Sequence, residues 1–256
     1  MKELYKDIKI LVIGDSCTDI FTYGSNLRLA PEGPVPVFVP VKKSINGGMA
    51  QNVKANIEAV GAYSFLITQE EKITKTRFVD DRTNYLMLRV DTNDTASKIS
   101  KSILEKIRNN FFENIYYDAI VISDYCKGFI SEEDIQEISL HNKNIFLDTK
   151  KILGHWCKNV SYIKINHVEY ERTLHTIGKL NIIDKLIITR SQEGCEFQGK
   201  IYPVKKVEIK DVSGAGDTFM SGLVCEYVNT KDIIKAIKYA QECATIVVQK
   251  KGVCTI

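Results

Sequence analysis

Short apolar runs alternate with stretches of helical period along most of the chain. Ile8–Ile13, Tyr63–Thr68, Ala119–Ser123, Ile145–Leu147, Tyr162–Ile165 and Leu186–Ile188 have the length and content of buried strands. Between and after them lie amphipathic segments. One covers Asn52–Val60 and ends at Gly61; another opens at Ser131, with Asp134 at capping-box spacing; a third runs over Ile233–Val248, with Gly252 beyond it. Phe219, Met220, Leu223, Val224, Tyr227 and Val228 share one helical face, closed by Asn229. This alternation predicts an α/β fold with a mainly parallel sheet. Two segments break it. Val35–Val41 alternates apolar residues with prolines, which belong at sheet edges. Arg77–Val79 and Tyr85–Val90 read as strands with no helix between them. These pieces predict a small antiparallel sheet outside the main one, placed as a cover over the site.

Asp15, Asp124, Asp148, Lys150, Asn166, Glu169 and Arg190 each stand at or just beyond the end of an apolar strand. In open α/β sheets the ligand crevice lies outside the carboxyl ends of the strands, so these residues are expected to converge.

The segment Asp211-Val212-Ser213-Gly214-Ala215-Gly216-Asp217-Thr218-Phe219 leads directly into the Phe219 helix. Small residues there let backbone N–H groups approach an anion, and the helix dipole favours negative charge. An aspartate in the same turn repels an anion unless it takes a proton from a nucleophile attacking the bound group. An anion hole beside a carboxylate base outlines phosphoryl transfer. A tight turn with a helix-start carboxylate is the plain alternative. Phe219 stands where a dinucleotide fingerprint needs glycine, and no Gly-x4-Gly-Lys-Ser/Thr occurs, which excludes the Rossmann fingerprint and the P-loop.

At 256 residues the chain can form one large domain, and its net charge of +3 gives no reason to expect nucleic acid. The 7 cysteines form no CxxC or zinc-like cluster and read as buried thiols in a reducing, cytoplasmic setting. No apolar stretch is long enough for a membrane span, and Met1–Leu4 opens no signal peptide.

Taken together, the motifs resemble the ribokinase-like (PfkB) carbohydrate kinases, from about Ile8 to the end of the chain. Asp211–Thr218 is similar to the family's second signature, and Asn46-Gly47-Gly48 with Asn52 to the first. Arg28–Val37, Ile122–Gly128 and Thr74–Arg77 resemble the heptose 7-phosphate kinases within that family. The resemblance implies a three-layer sandwich with a mainly parallel central sheet and a small antiparallel β lid. It implies a single kinase domain over residues 1–256, with lid strands from about 16–45 and 75–91. It implies Asp217 as base and the N–H groups of Gly214, Ala215 and Gly216 as anion hole. Asn166 and Glu169 would place Mg²⁺ indirectly, together with the ATP phosphates. Thr189, Arg190, Gly194 and Lys150 fall on the nucleotide side. Asp15, Asp19, Gly47, Gly48 and Asn52 would face the sugar, and Arg28, Lys127 and Arg89 are candidates for a phosphate already on the substrate. The implied partners are ATP and a sugar or sugar phosphate, with room for a monovalent cation and a homodimer formed through the lids.

Each role has a plainer reading: a helix cap for Asn166 and Glu169, a turn for Asp19, an exposed amine for Lys150, a surface ion pair for Arg89. The chain also departs from the pattern. It passes quickly from Thr68 to Ile73-Thr74-Lys75, carries one extra residue in Gly47–Asn52, and has Thr149 where proline is usual. No His-x-Gly-His motif of a nucleotidyl transferase occurs, so phosphorylation alone is expected. A kinase of another small sugar or nucleoside, and a non-catalytic sensor of the same fold, remain open readings.

Overall fold

The computed structural model describes residues 2–108, 111–112 and 115–256. In chain order, β1 (Lys9–Gly14) enters the core, and β2 (Ser16–Ala30) and β3 (Gly33–Met49) form a long hairpin. Next, α1 (Ala50–Val60) and β4 (Tyr63–Ile67) return to the core, and β5 (Thr74–Asp80) and β6 (Leu86–Thr92) leave it again. There follow α2 (Lys101–Arg108), the short pair β7 (Phe111–Phe112) and β8 (Ile115–Tyr116), β9 (Ala119–Asp124), α3 (Glu132–His141), β10 (Ile145–Thr149), β11 (Tyr162–Asn166) and α4 (His167–Leu180). The chain closes with β12 (Leu186–Thr189), β13 (Cys195–Phe197), β14 (Lys200–Tyr202), α5 (Ala215–Thr230) and α6 (Ile233–Val247).

The main sheet has the order β14-β13-β12-β11-β10-β9-β1-β4. From β12 to β4 every pair is parallel; β13 and β14 add an antiparallel edge. Alternate strand residues feed two cores, as a sheet covered on both faces requires. Ile10, Val12, Val121 and Phe146 pack with α1, α5 and α6, whereas Leu11, Ile13, Ile120 and Leu147 pack with α3 and α4. The chain runs from β1 to β4 on one side and later through β9 to β12 on the other. The topological switch point, where an α/β sheet opens its crevice, therefore lies between β1 and β9.

Local chemistry sets the helix ends. Gly61, at φ 114°, ends α1, and its N–H bonds to Ile57 O and Glu58 O. The expected Ser131–Asp134 capping box opens α3. Asp232 caps α6 through the N–H groups of Ile234 and Lys235. Five of the seven cysteines are buried, but Cys126 is exposed and Cys254 partly so, because both lie on turns outside the layers. Among the described residues no helix is long and apolar enough to cross a membrane.

The second sheet has the order β3-β2-β5-β6. Its β2–β3 and β5–β6 pairs are antiparallel, and the pair joining them, β2–β5, is parallel. Pro34, Pro36 and Pro40 lie on β3, an edge strand, where a missing N–H is tolerated. One face, carrying Cys17, Asp19, Phe21, Lys75 and Arg77, turns toward the main domain. The register puts Ile45, Val90 and Leu88 on the opposite face. Ile45, Leu88 and Val90 are 58%, 55% and 43% exposed, and the hairpin carries further exposed apolar residues at Leu27, Leu29, Val35, Val39 and Val41. A patch of this kind marks an interaction surface, and the homodimer through the lids that the resemblance implies would set a second copy of the sheet against it. Sedimentation at micromolar concentration is expected to show a dimer, and the double variant Leu88→Lys, Val90→Lys a folded monomer. A monomeric wild type contradicts this.

Candidate active site

The N-terminus of α5 is the focus of the crevice. Gly214, at φ 79°, forms the turn into the helix, and unlike α3, α4 and α6 this helix has no side-chain cap. A Cβ at Gly214 would lie 2.7 Å from Asn52 Nδ2, so glycine is required both by conformation and by space. Ala215 gives its N–H to Val212 O at 3.2 Å, and Thr218 bonds to Gly214 O at 2.9 Å. Ala215 is thus an exception to the expected anion hole, since its N–H is used within the turn. The N–H groups of Gly216 and Asp217 donate to no protein acceptor among the described residues and face the crevice with the positive end of the helix dipole.

Asp217 stands in that first turn, 4% exposed. Asn52 Nδ2 donates to its Oδ2 at 2.9 Å, and the Tyr125 hydroxyl donates to its Oδ1 at 2.7 Å. Burial pushes its pKa up; those two hydrogen bonds hold it back, and it stands at about 6. The Asn52 amide is oriented by Asn56, whose Nδ2 donates to Asn52 Oδ1 at 3.1 Å. Behind the hole, Lys164 and Asp148 form a buried ion pair at 2.6 Å. The ammonium lies so close that a Cβ on Gly216 would be 2.9 Å from Lys164 Nζ. Asp148 Oδ1 and Thr218 Oγ1 are buried with no partner among the described residues.

Beside this terminus is a cavity of about 480 Å³. Lys150, Lys164, Asn166 and Thr189 line one end, and Val204, Val207, Ile209, Ala244 and Val248 form an apolar wall. Asn166 and Glu169 make a reciprocal capping box on α4, each donating a backbone N–H to the other's side chain at 2.9 Å. Glu169 is nevertheless buried, and its second oxygen pairs with Lys150. Burial alone would lower the Lys150 pKa, but the carboxylates of Asp148 and Glu169 outweigh it and raise it. Gly194 lines the cavity at φ 97°. Arg190 does not: its guanidinium bonds Glu196 Oε2 at 2.6 and 3.0 Å, which turns it from the nucleotide side where it was expected.

On the other side of Asp217 the expected sugar-facing residues divide. Asp15 is fully buried and accepts the N–H groups of Tyr125 at 2.7 Å, Lys127 at 3.2 Å and Phe129 at 3.4 Å, so it holds the loop after β9. Asp19 pairs with Arg77 beside Gly48, and Gly47 lies against the Gln51 side chain. Met49, where β3 turns into α1, adopts φ 58°, ψ −133°, a strained conformation for a non-glycine residue that costs roughly 1–3 kcal/mol. Lys127 is paired with Asp94, and Arg89 holds Asp91 at 2.7 and 2.6 Å, as a surface ion pair would. Arg28 is a correction. It is exposed near the hairpin tip opposite Val37, nine residues beyond Asp19 and so about 30 Å along β2, and it lines neither cavity. Tyr125, Lys164 and Lys75 carry no site role in the sequence reading; Asp148 is expected at the crevice, but without its pairing with Lys164.

A family model described as "pfkB family carbohydrate kinase" matches residues 63–256. The chain is similar to "Bifunctional protein HldE" of Helicobacter pylori, 29% identical over 293 residues, covering 95% of this chain and 63% of that protein. The chain therefore spans less than two thirds of the length of that relative. Among solved structures, the Methanocaldococcus jannaschii nucleoside kinase superposes with a TM-score of 0.65 at 15% identity, covering 97% of this chain and 94% of that one. The Arabidopsis thaliana ribokinase in complex with ribose and ATP gives a TM-score of 0.66 at 13% identity, covering 96% and 94%. At these identities the two structures establish the fold.

Because donors to a carboxylate favour its charged form, Tyr125→Phe is expected to raise the Asp217 pKa above about 6. A ¹³C carboxyl titration followed by NMR checks this; an Asp217 titration that moves down, or is unmoved, in the variant contradicts the assigned hydrogen bond.

Proposed function

The chain belongs to the pfkB family of ATP-dependent carbohydrate kinases, and from that membership we propose that its acceptor is a heptose 7-phosphate, phosphorylated at the anomeric hydroxyl. The observation that supports the transfer site most strongly is the buried Asp217 carboxylate beside the uncapped N-terminus of α5. A sugar hydroxyl is a poor nucleophile at neutral pH. Asp217, with a pKa of about 6, is largely ionised at pH 7 and can accept the hydroxyl proton as the bond to phosphorus forms. Asn52 and Tyr125 fix the direction of that carboxylate.

In this reading the 480 Å³ cavity takes ATP, with the base on the apolar wall and the phosphates toward Lys150, Lys164 and the α5 terminus. The Gly216 and Asp217 N–H groups and the Lys164 ammonium then lie where charge spreads over the transferring group. The residues present also suit Mg²⁺. No group of three His, Cys, Asp or Glu side chains that could enclose a metal occurs among the described residues. Mg²⁺ bound with ATP usually takes one or two carboxylates plus phosphate oxygens and water. The unpartnered Asp148 Oδ1 and the buried Glu169 are the carboxylates at hand. When bound, the ion would neutralise phosphate charge. The second sheet covers the acceptor side and would limit water, which otherwise competes for the phosphoryl group.

The heptose assignment is supported by the resemblance of Ile122–Gly128 and Thr74–Arg77, which the fold brings to the same crevice through Tyr125 and Lys75. The test is turnover of ATP over a panel of sugar phosphates and free sugars. Heptose 7-phosphate should be the preferred acceptor, and Asp217→Asn should bind ATP while losing about 10²-fold or more in kcat. Preference for a free sugar would remove the heptose assignment; near wild-type turnover in Asp217→Asn would remove the base.

A further inference from the structure

Among the described residues the buried Lys75 ammonium has no ion-pair partner. Across the second sheet, Asn46, Asp19, Lys75 and Asp91 form one row of cross-strand neighbours. The next row on the same face is Ser44, Phe21, Arg77 and Arg89. Lys75 therefore stands between two carboxylates, yet each is committed to an arginine from the next row: Asp19 to Arg77, and Asp91 to Arg89. Lys127, from the loop after β9, is committed to Asp94. Four cations thus share three carboxylates, and Lys75 is the one left over.

The Lys75 side chain makes no hydrogen bond or ion pair among the described residues; its ammonium lies 5.5 Å from the centre of the Tyr125 ring, and the Asp19 and Asp91 carboxylates act on it only through space. It is nonetheless 6% exposed. Burial pushes its pKa down; nearby Cys17 and Asp19 oppose this, while Arg89 and Lys127 add to it. Burying a charge without a partner costs stability, and such costs are retained where function needs them.

Its position says what the partner is. The Tyr125 ring divides the crevice, with its hydroxyl on Asp217. Lys150 lies 5.1 Å from the ring centre and lines the nucleotide cavity, whereas Lys75 does not line it. Lys75 is therefore on the acceptor side. We propose that Lys75 binds a phosphate monoester carried by the acceptor, with Lys127 and Arg89 as neighbouring cations. The unpaired ammonium is a specificity device: it is satisfied by an acceptor that brings its own anion and left bare by a neutral sugar. This rests on the reading of the crevice as an acceptor site, and it adds the residue that selects a phosphorylated one.

Ligand-induced thermal stabilisation tests it on the full chain without requiring turnover. The probes are heptose 7-phosphate, the matching free heptose, inorganic phosphate and ATP. Wild type should be stabilised by the sugar phosphate far more than by the free sugar, and inorganic phosphate should weaken that gain by competition. Lys75→Met should be more stable than wild type without ligand, because an apolar side chain of similar shape replaces an unpaired charge. It should keep the shift caused by ATP and bind the sugar phosphate about 10- to 100-fold more weakly. Lys75→Arg should recover part of that binding. Equal sugar-phosphate binding in wild type and Lys75→Met overturns the proposal, as does a wild type that no phosphorylated sugar stabilises. If Lys75→Met also loses the ATP shift, Lys75→Arg decides: its failure to bind the sugar phosphate while it still binds ATP overturns the proposal. Should ATP turnover occur with free sugars and no phosphate-dependent shift appear, the proposal falls while the kinase reading stands. Should the shift appear without turnover, the proposal stands and the kinase reading falls.

Discussion

A carboxylate buried beside the uncapped N-terminus of α5, where the proposed function places phosphate, is the physical problem around which this crevice is arranged. In that reading Asp217 stays near the α5 terminus to reach an acceptor, although its charge would repel the group the same terminus attracts. The fold moderates the conflict with two neutral donors, Asn52 and Tyr125, and with the Lys164 ammonium behind Gly216. Each donor is held by something farther away. Asn56 orients Asn52 and accepts the Ile256 N–H at 3.3 Å, while Asp15 grips the backbone that carries Tyr125. The positions of two donor atoms therefore depend on α1, the last residue of the chain and the β1 terminus together.

The two sheets meet around the same residues. Asp211 accepts the N–H groups of Ser213 at 2.8 Å and Gly252 at 3.0 Å, which fixes the turn leading into Gly214. From the second sheet, Asn84 Nδ2 donates to Lys210 O at 2.8 Å, and Phe21, Tyr23 and Val79 pack on Val253. The covering sheet is thus tied to the segment that leads into the α5 terminus, so a shift of one bears directly on the other. Tyr125 sits where these parts converge, with the Lys150 and Lys75 ammonium groups 5.1 and 5.5 Å from its ring; in the proposed reading they lie on the nucleotide and acceptor sides.

Much of this was legible in the sequence, and the remainder was hidden for physical reasons. The core strands and α1, α3, α5 and α6 announce themselves through apolar period and caps. The 15-residue strand β2 does not, because Ser, Thr, Asp and Asn occupy much of it and only cross-strand pairing makes it a strand. Helix α4 was visible as a cap at Asn166 and Glu169, and both the plain and the functional readings of that pair survive, since the capping box also buries a carboxylate next to Lys150. Lys164 carried a signal that could have been used: a lysine inside the apolar run Ile163–Ile165 needs a buried counter-charge, here Asp148. Arg28 shows the converse. Resemblance marked it as a residue of interest, but only the register of a long hairpin reveals how far it stands from Asp217.

The central claim is that Asp217 acts as a base whose burial sets its pKa near neutrality. The pH dependence of kcat/KM for the wild-type chain, measured with its best acceptor, tests this most directly, because it reports ionisations of the free enzyme. The acid limb should bend at about pH 6, with activity lost as the pH falls and Asp217 takes a proton. A profile that stays level down to pH 4.5, or one that rises as the pH falls through 6, would contradict the account.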